Sequence, residues 1–133
     1  MTENALNGLI AYRLQQAGEA LEEARLLKDG SHPRAAVNRA YYAMFYAIQA
    51  LLAKNGLKAS KHYGAIALFD RHFVKPDLFD KEFSRWLHKL FELRQEADYG
   101  DMVHVSNEQV REALERATAF VARVGEFLKS PSA

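Results

Sequence analysis

The sequence predicts an all-α fold, an up-and-down bundle of about five helices. Three observations carry that expectation. Apolar residues recur every three or four positions along the 133-residue chain, which is the helical period and not the alternation of a half-buried strand. Pro33, Pro76 and Pro131, with Gly30, Gly56 and Gly100, fall between or beyond the periodic stretches, as helices are punctuated. Strand signals are absent.

The first helix is expected from near Asn4 to Leu27, with Leu6, Ile10, Leu14, Ala17, Leu21, Ala24 and Leu27 on one stripe, stopping at Asp29-Gly30. Pro33 suits a first helical position, so a second helix opens there and closes at Asn55-Gly56 in a left-handed stop. From Ala40 the run Ala-Tyr-Tyr-Ala-Met-Phe-Tyr-Ala-Ile leaves no solvent face. Such a helix belongs at the centre of a bundle or under a second subunit. A shorter third helix is expected over about Tyr63–Phe73, ended by the turn at Pro76-Asp77. A fourth starts at Asp80 as N-cap and turns Phe83, Leu87, Leu90 and Ala97 inward, with Gly100 as its break. Ser106-Asn107-Glu108-Gln109 offers a capping box for the fifth, which carries Val110, Leu114, Ala117, Val121, Val124 and Leu128. Gly8, Gly18 and Gly125 lie inside helical patterns and cost each about 1 kcal/mol relative to Ala.

Length and composition bound the rest. One domain is expected over residues 1–129, with a flexible tail over 130–133. Zero cysteines exclude a disulfide framework, a thiolate zinc site and a thiol nucleophile, and fit a reducing cytoplasm. Met1-Thr2-Glu3-Asn4 carries acid and amide where a signal peptide is basic. The longest charge-free stretch, Ala40 to Ala53, falls short of the roughly twenty residues of a membrane span. No membrane partner is expected.

Formal net charge is +1, and its distribution says more than its sum. Residues 1–30 hold three Lys/Arg against five Asp/Glu, residues 31–75 seven against one, and residues 76–133 eight against eleven. The middle segment is therefore basic, and Lys54, Lys58, Lys61 and His62 crowd one connection, where they either meet phosphate or form a solvated face balanced by neighbouring helices.

Arg94 is the most informative residue. It follows Leu87 by seven and Leu90 by four, so the spacing that turns those leucines inward turns a permanently charged fork inward as well. A buried guanidinium needs acceptors. Asp98, one turn on, and Asp101 are the available carboxylates. Arg94 either closes the helix end as an ion pair or stands ready for a phosphate or a partner chain. Arg39 precedes Tyr42 by three residues, and Tyr42 and Tyr46 make a wall with hydroxyl tips, suited to the core, to a dimer interface or to stacking. His32, His62, His72, His88 and His104 are dispersed, without paired Glu-x-x-His motifs, and no metal or cofactor is expected. Nucleophile-elbow, P-loop and dinucleotide motifs are missing.

Three segments together resemble the HEPN domain (higher eukaryotes and prokaryotes nucleotide-binding). They are Ala36-Val37-Asn38-Arg39-Ala40-Tyr41-Tyr42-Ala43-Met44-Phe45-Tyr46-Ala47, then Ser60-Lys61-His62, then Arg94-Gln95-Glu96-Ala97-Asp98-Tyr99. The resemblance implies a helical bundle that dimerises, is often encoded beside a minimal nucleotidyltransferase, and in many members is a metal-independent ribonuclease toxin. In that family the chemistry rests on an Arg and a His four to six residues apart. The His moves a proton at the ribose hydroxyl or leaving oxygen, and the Arg stabilises charge on the phosphorane. Arg94 matches the Arg, but Tyr99, Gly100 and Asp101 stand where the His is expected, and the next histidine is His104. A phenol of pKa about 10 is a poor base at pH 7, so a ribonuclease here needs His104 or His62 as its proton carrier.

Three functions follow. The first is a dimeric, toxin-antitoxin-like partner of a nucleotidyltransferase that holds a nucleotide or RNA phosphate with Arg39, Lys58, Lys61, His62, Arg94, Asp98 and Tyr99. Tyr42 and Tyr46 would then face the dimer interface, and Tyr99 is a candidate target of the transferase. The second is a ribonuclease using Arg94 and His104 or His62. The third is a plain dimerisation module.

Overall fold

A computed structural model describes residues 2–100 and 103–129. Helix α1 spans Glu3–Asp29, α2 Pro33–Lys54, α3 His62–Phe69, α4 Lys81–Tyr99 and α5 Asn107–Lys129, with no strand among the described residues. The third helix differs from its expected single span, because α3 widens into a π-helical stretch over Asp70–Val74 before the turn at Asp77. The expected tail over 130–133, like Asp101, lies outside the described residues.

Local chemistry sets the helix ends. The Thr2 hydroxyl accepts from the Ala5 N–H and the Asp80 carboxylate from the Glu82 N–H. Ser106 and Gln109 close a reciprocal capping box at 2.9 and 3.1 Å. At the end of α2, Gly56 is left-handed (φ +70), its N–H donates to the Ala53 carbonyl, and the Leu57 N–H donates to Leu52. That is a Schellman stop. The end of α1 uses the same bonds, Ser31 to Lys28 and His32 to Leu27, but the left-handed residue is Ser31 and not Gly30. A side chain in that conformation costs roughly 1–2 kcal/mol, which the two satisfied carbonyls offset.

Helix α2 is the central element. It packs against α1, α3, α4 and α5, and Val37, Tyr41, Met44, Ile48, Leu51 and Leu52 are fully enclosed. The other helices of the same chain therefore supply the cover its apolar girth demands. Ala17, Ala20 and Ala24 of α1 and Ala36, Ala40, Ala43 and Ala47 of α2 are all buried, small side chains that permit close helix approach.

Two aromatic clusters divide the core. One is built of Phe69, Phe73, Phe79, Phe83, Phe120 and Phe127, in stacked, edge and tilted contacts at 5.2–6.1 Å. The other joins Tyr41, Tyr42, Phe45, Tyr46, His62 and Phe91. Burying a phenylalanine contributes roughly 2–3 kcal/mol, so the first cluster is a stabilising core. The second carries hydroxyl and imidazole groups inside the bundle, and each of those requires a partner.

Candidate functional site

Arg94 organises the second cluster. Its α4 register carries it inward with Leu87 and Leu90, and it is 6% exposed, the one charged residue buried among the described residues. Its Nη2 donates to the Tyr42 hydroxyl at 3.1 Å. The rings of Tyr41, Tyr42 and Tyr99 surround its guanidinium carbon at 5.6, 5.2 and 5.5 Å, an arrangement in which cation–π attraction is strengthened by desolvation. Nε lies 2.9 Å from Asp98 Oδ2. Its N–H does not point along that line, however, so the contact is electrostatic and the buried Nε–H has no aligned acceptor.

Asp98 belongs to a wider network. The Asn38 amide donates to Asp98 Oδ2 at 2.8 Å, Arg39 Nε donates to Asn38 Oδ1 at 3.1 Å, and Arg39 Nη1 pairs with Glu23 at 3.4 Å. Arg39 also stacks on Tyr42 at 4.8 Å. Two guanidinium groups thus share one tyrosine. Arg34 closes the same end of α4, donating from Nε to the Ala97 carbonyl at 2.7 Å, where the last carbonyls of a helix lack intrahelical donors.

His62 enters from the start of α3. Its Nδ1 lies 2.8 Å from the Tyr41 hydroxyl and its Nε2 3.5 Å from the Tyr42 hydroxyl. Burial, and secondarily the Arg94 charge, lower its pKa from 6.5, while burial pushes the Tyr41 phenol well above its ordinary range. Tyr41 therefore keeps its proton, and the neutral imidazole sits between the two hydroxyls, accepting through one ring nitrogen and donating through the other.

The structure thus brings Arg39, Tyr42, His62, Arg94, Asp98 and Tyr99 together. Lys61 and His104 are exposed, and neither forms a hydrogen bond or ion pair with that group among the described residues. Lys58 lines a separate groove beside Tyr46. Three members went unassigned from sequence. Asn38 and Tyr41 lie inside the motif run, which assigns them no role in the site, and Arg34 has no local signal beyond its charge. A further groove of about 300 Å³ between α4 and α5 has Trp86, Leu93 and Glu112 in its walls and none of the expected site residues. Among the described residues no three His, Asp or Glu converge as metal ligands, and no helix is long and apolar enough to cross a membrane.

Comparison with known proteins bears on this geometry. The family model described as HEPN domain matches residues 10–127. A UPF0332 protein of Thermotoga maritima is 36% identical over 126 residues, covering 95% of this chain and 96% of the relative. In Methanocaldococcus jannaschii, a protein named Putative toxin MJ0605 is 34% identical, covering 87% of this chain and 86% of its own. A second from the same organism, Putative toxin MJ0142, is 28% identical over 88% of this chain and 80% of its own.

Proposed function

This chain belongs to the HEPN domain family, and from that premise we propose that it is a nucleotide- or RNA-binding module, a homodimeric partner of a nucleotidyltransferase in a toxin-antitoxin-like pair. The observation that carries the reading is Arg94, buried, charged, and with an Nε–H that lacks an aligned acceptor. A phosphate oxygen is the acceptor such a fork suits. Asp98 holds the guanidinium until the ligand arrives, and Arg39 adds a second cation on the other side of the Asn38–Asp98 bond. The names of the Methanocaldococcus relatives support the toxin side of such a pair.

In this reading Tyr42 and Tyr46 stand along the wall of a cleft between two copies, so that the two Arg94 sites open toward each other. Tyr99, 71% exposed and against Arg94, is the tyrosine offered to the transferase. Lys58 and Lys61 add positive potential that steers an anionic ligand. The test is coexpression with the product of the neighbouring gene, followed by copurification and ATP titration. A stable complex, and ATP binding lost in Arg94→Ala, are expected. No complex together with no nucleotide binding would end the proposal.

One observation favours a second reading, a metal-independent ribonuclease. Tyr42 bridges Arg94 and His62, so the proton carrier missing four to six residues after Arg94 is supplied from α3. Neutral His62 suits the base that takes the ribose hydroxyl proton as that oxygen attacks phosphorus, and the imidazolium so formed can return a proton to the leaving oxygen, while Arg94 stabilises charge on the phosphorane. RNA cleavage in EDTA that disappears in Arg94→Ala and His62→Ala, and persists in His104→Ala, identifies this enzyme. Loss in His104→Ala would move the role to His104. If Arg94→Ala lowers stability and leaves every binding signal unchanged, a plain dimerisation module remains.

A further inference from the structure

We propose that the groove between α4 and α5 is a docking site for a cationic amphipathic segment of a partner protein, one whose lysines or arginines flank an aliphatic anchor. The inference stands apart from the phosphate reading of Arg94, because it uses none of that site's residues. The groove measures about 300 Å³ and exists because α4 and α5 make little contact with each other, each packing mainly on α2. Its floor is apolar, with Leu90 and Ala113 buried and Trp86 and Leu93 half-buried beside them.

Charge decides the occupant. Glu92 and Glu96 of α4 and Glu108 and Glu112 of α5 line the groove against two cations, Lys89 and Arg116. Both cations are already matched by Glu112, at 3.1 and 2.9 Å, and Glu108 is paired with Arg111, which stands outside the groove. Glu92 and Glu96 are exposed and take part in none of the ion pairs of the described residues. They stand one turn apart, so their like charges repel. They also lie in the second half of α4, whose last turn holds no basic residue and where the helix macrodipole disfavours anions. A cation from another chain relieves both penalties.

Shape narrows the occupant further. A purely apolar segment would desolvate the two free carboxylates without pairing them, and a nucleic acid strand would be repelled by them. A small cation would leave the apolar floor uncovered. The Glu92 and Glu96 positions are about 6 Å apart along the axis, the spacing at which a helical partner repeats side chains four residues apart. A segment that lays an aliphatic side chain on Leu90 and Leu93 and sets two cations one turn apart over Glu92 and Glu96 satisfies floor and wall together, in the manner of a helix seated in a groove.

Trp86 is the chain's one tryptophan, so its emission reports occupancy of the groove in the full chain. The probes are three tryptophan-free peptides: an amphipathic leucine–lysine helix, its leucine–glutamate counterpart, and a lysine-only peptide. The leucine–lysine peptide should change Trp86 emission saturably and the leucine–glutamate peptide should not. The lysine-only peptide should bind at least about tenfold more weakly. Glu92→Gln/Glu96→Gln should weaken the leucine–lysine complex about fivefold and flatten its salt dependence. Free of peptide, that variant should melt no lower than the parent, since it loses a repulsion. Glu19→Gln/Glu22→Gln, on the exposed face of α1, should bind as the parent does. Equal affinity for the leucine–lysine and lysine-only peptides, an equal loss in the α1 variant, or no emission change with any peptide overturns the proposal. If Glu92→Gln/Glu96→Gln lowers the sedimentation coefficient of the free chain, a second copy occupies the groove and the inference fails.

Discussion

Replacing Asp98 by Asn tests the idea that Arg94 trades one anion for another. The side chain of Arg94 is 8% exposed and its Nε stands 2.9 Å from Asp98 Oδ2. At that distance and an effective dielectric of 20, the attraction is about 6 kcal/mol before desolvation is counted. Removing one partner of a fully buried pair costs about 3–5 kcal/mol. Asp98 is less enclosed than Arg94, with 22% of its side chain exposed, and Arg94 keeps the Tyr42 hydroxyl and three ring faces. Solvent screening and those contacts bring the expected loss to about 2–3 kcal/mol. For a chain of this length that lowers Tm by roughly 10 °C. With the competing carboxylate charge gone, Arg94 should then bind an external anion more tightly than in the parent protein. Pyrophosphate at 100 times its Kd restores about 2.7 kcal/mol. Thermal melts followed by circular dichroism, with and without pyrophosphate, read both effects. A Tm within 2 °C of the parent, or a large drop with no recovery in pyrophosphate, refutes the reasoning.

Three further outcomes are expected. Burial and Arg94 hold the folded-state pKa of His62 below 6.5, so between that value and 6.5 the unfolded chain binds more protons. The contribution of neutral His62 is therefore present above about pH 6.5 and lost as pH falls through the folded pKa; urea titrations from pH 7.5 to 5 should show a shallower decline in His62→Gln. At Gly100 an added Cβ would sit 2.6 Å from the Glu96 carbonyl oxygen and against the Val103 side chain. Gly100→Ala should cost about 1–3 kcal/mol in chemical denaturation, and anion affinity should fall as the Tyr99 and Arg94 end of α4 shifts. Ser106→Ala removes half the capping box of α5 and should cost about 1 kcal/mol, measurable as a fall in the urea midpoint with anion binding unchanged.

The helix ends show how far sequence reached. Pro33 at the first position of α2, Gly56 in its left-handed stop, Asp80 capping α4 and the Ser106–Gln109 box all stand where the residues predict, because each is decided within a few residues of chain. The π-helical widening after Phe69 was not legible. It places Phe73 beside Phe79, a contact whose demands appear only once the third helix and the turn after it are packed.

The candidate site divides in the same way. That Arg94 points inward, and that Asp98 meets it one turn later, follow from the period of a single helix, and sequence alone determined them. That Tyr42 takes the Arg94 donor, that Asn38 reaches Asp98, and that His62 comes between two tyrosines were decided by tertiary structure, across separations of 52, 60 and 20 residues. Helical periodicity fixes which face of each helix is apolar. The rotation and register of one helix against another, set by close packing of alanines and rings, fix which polar groups meet.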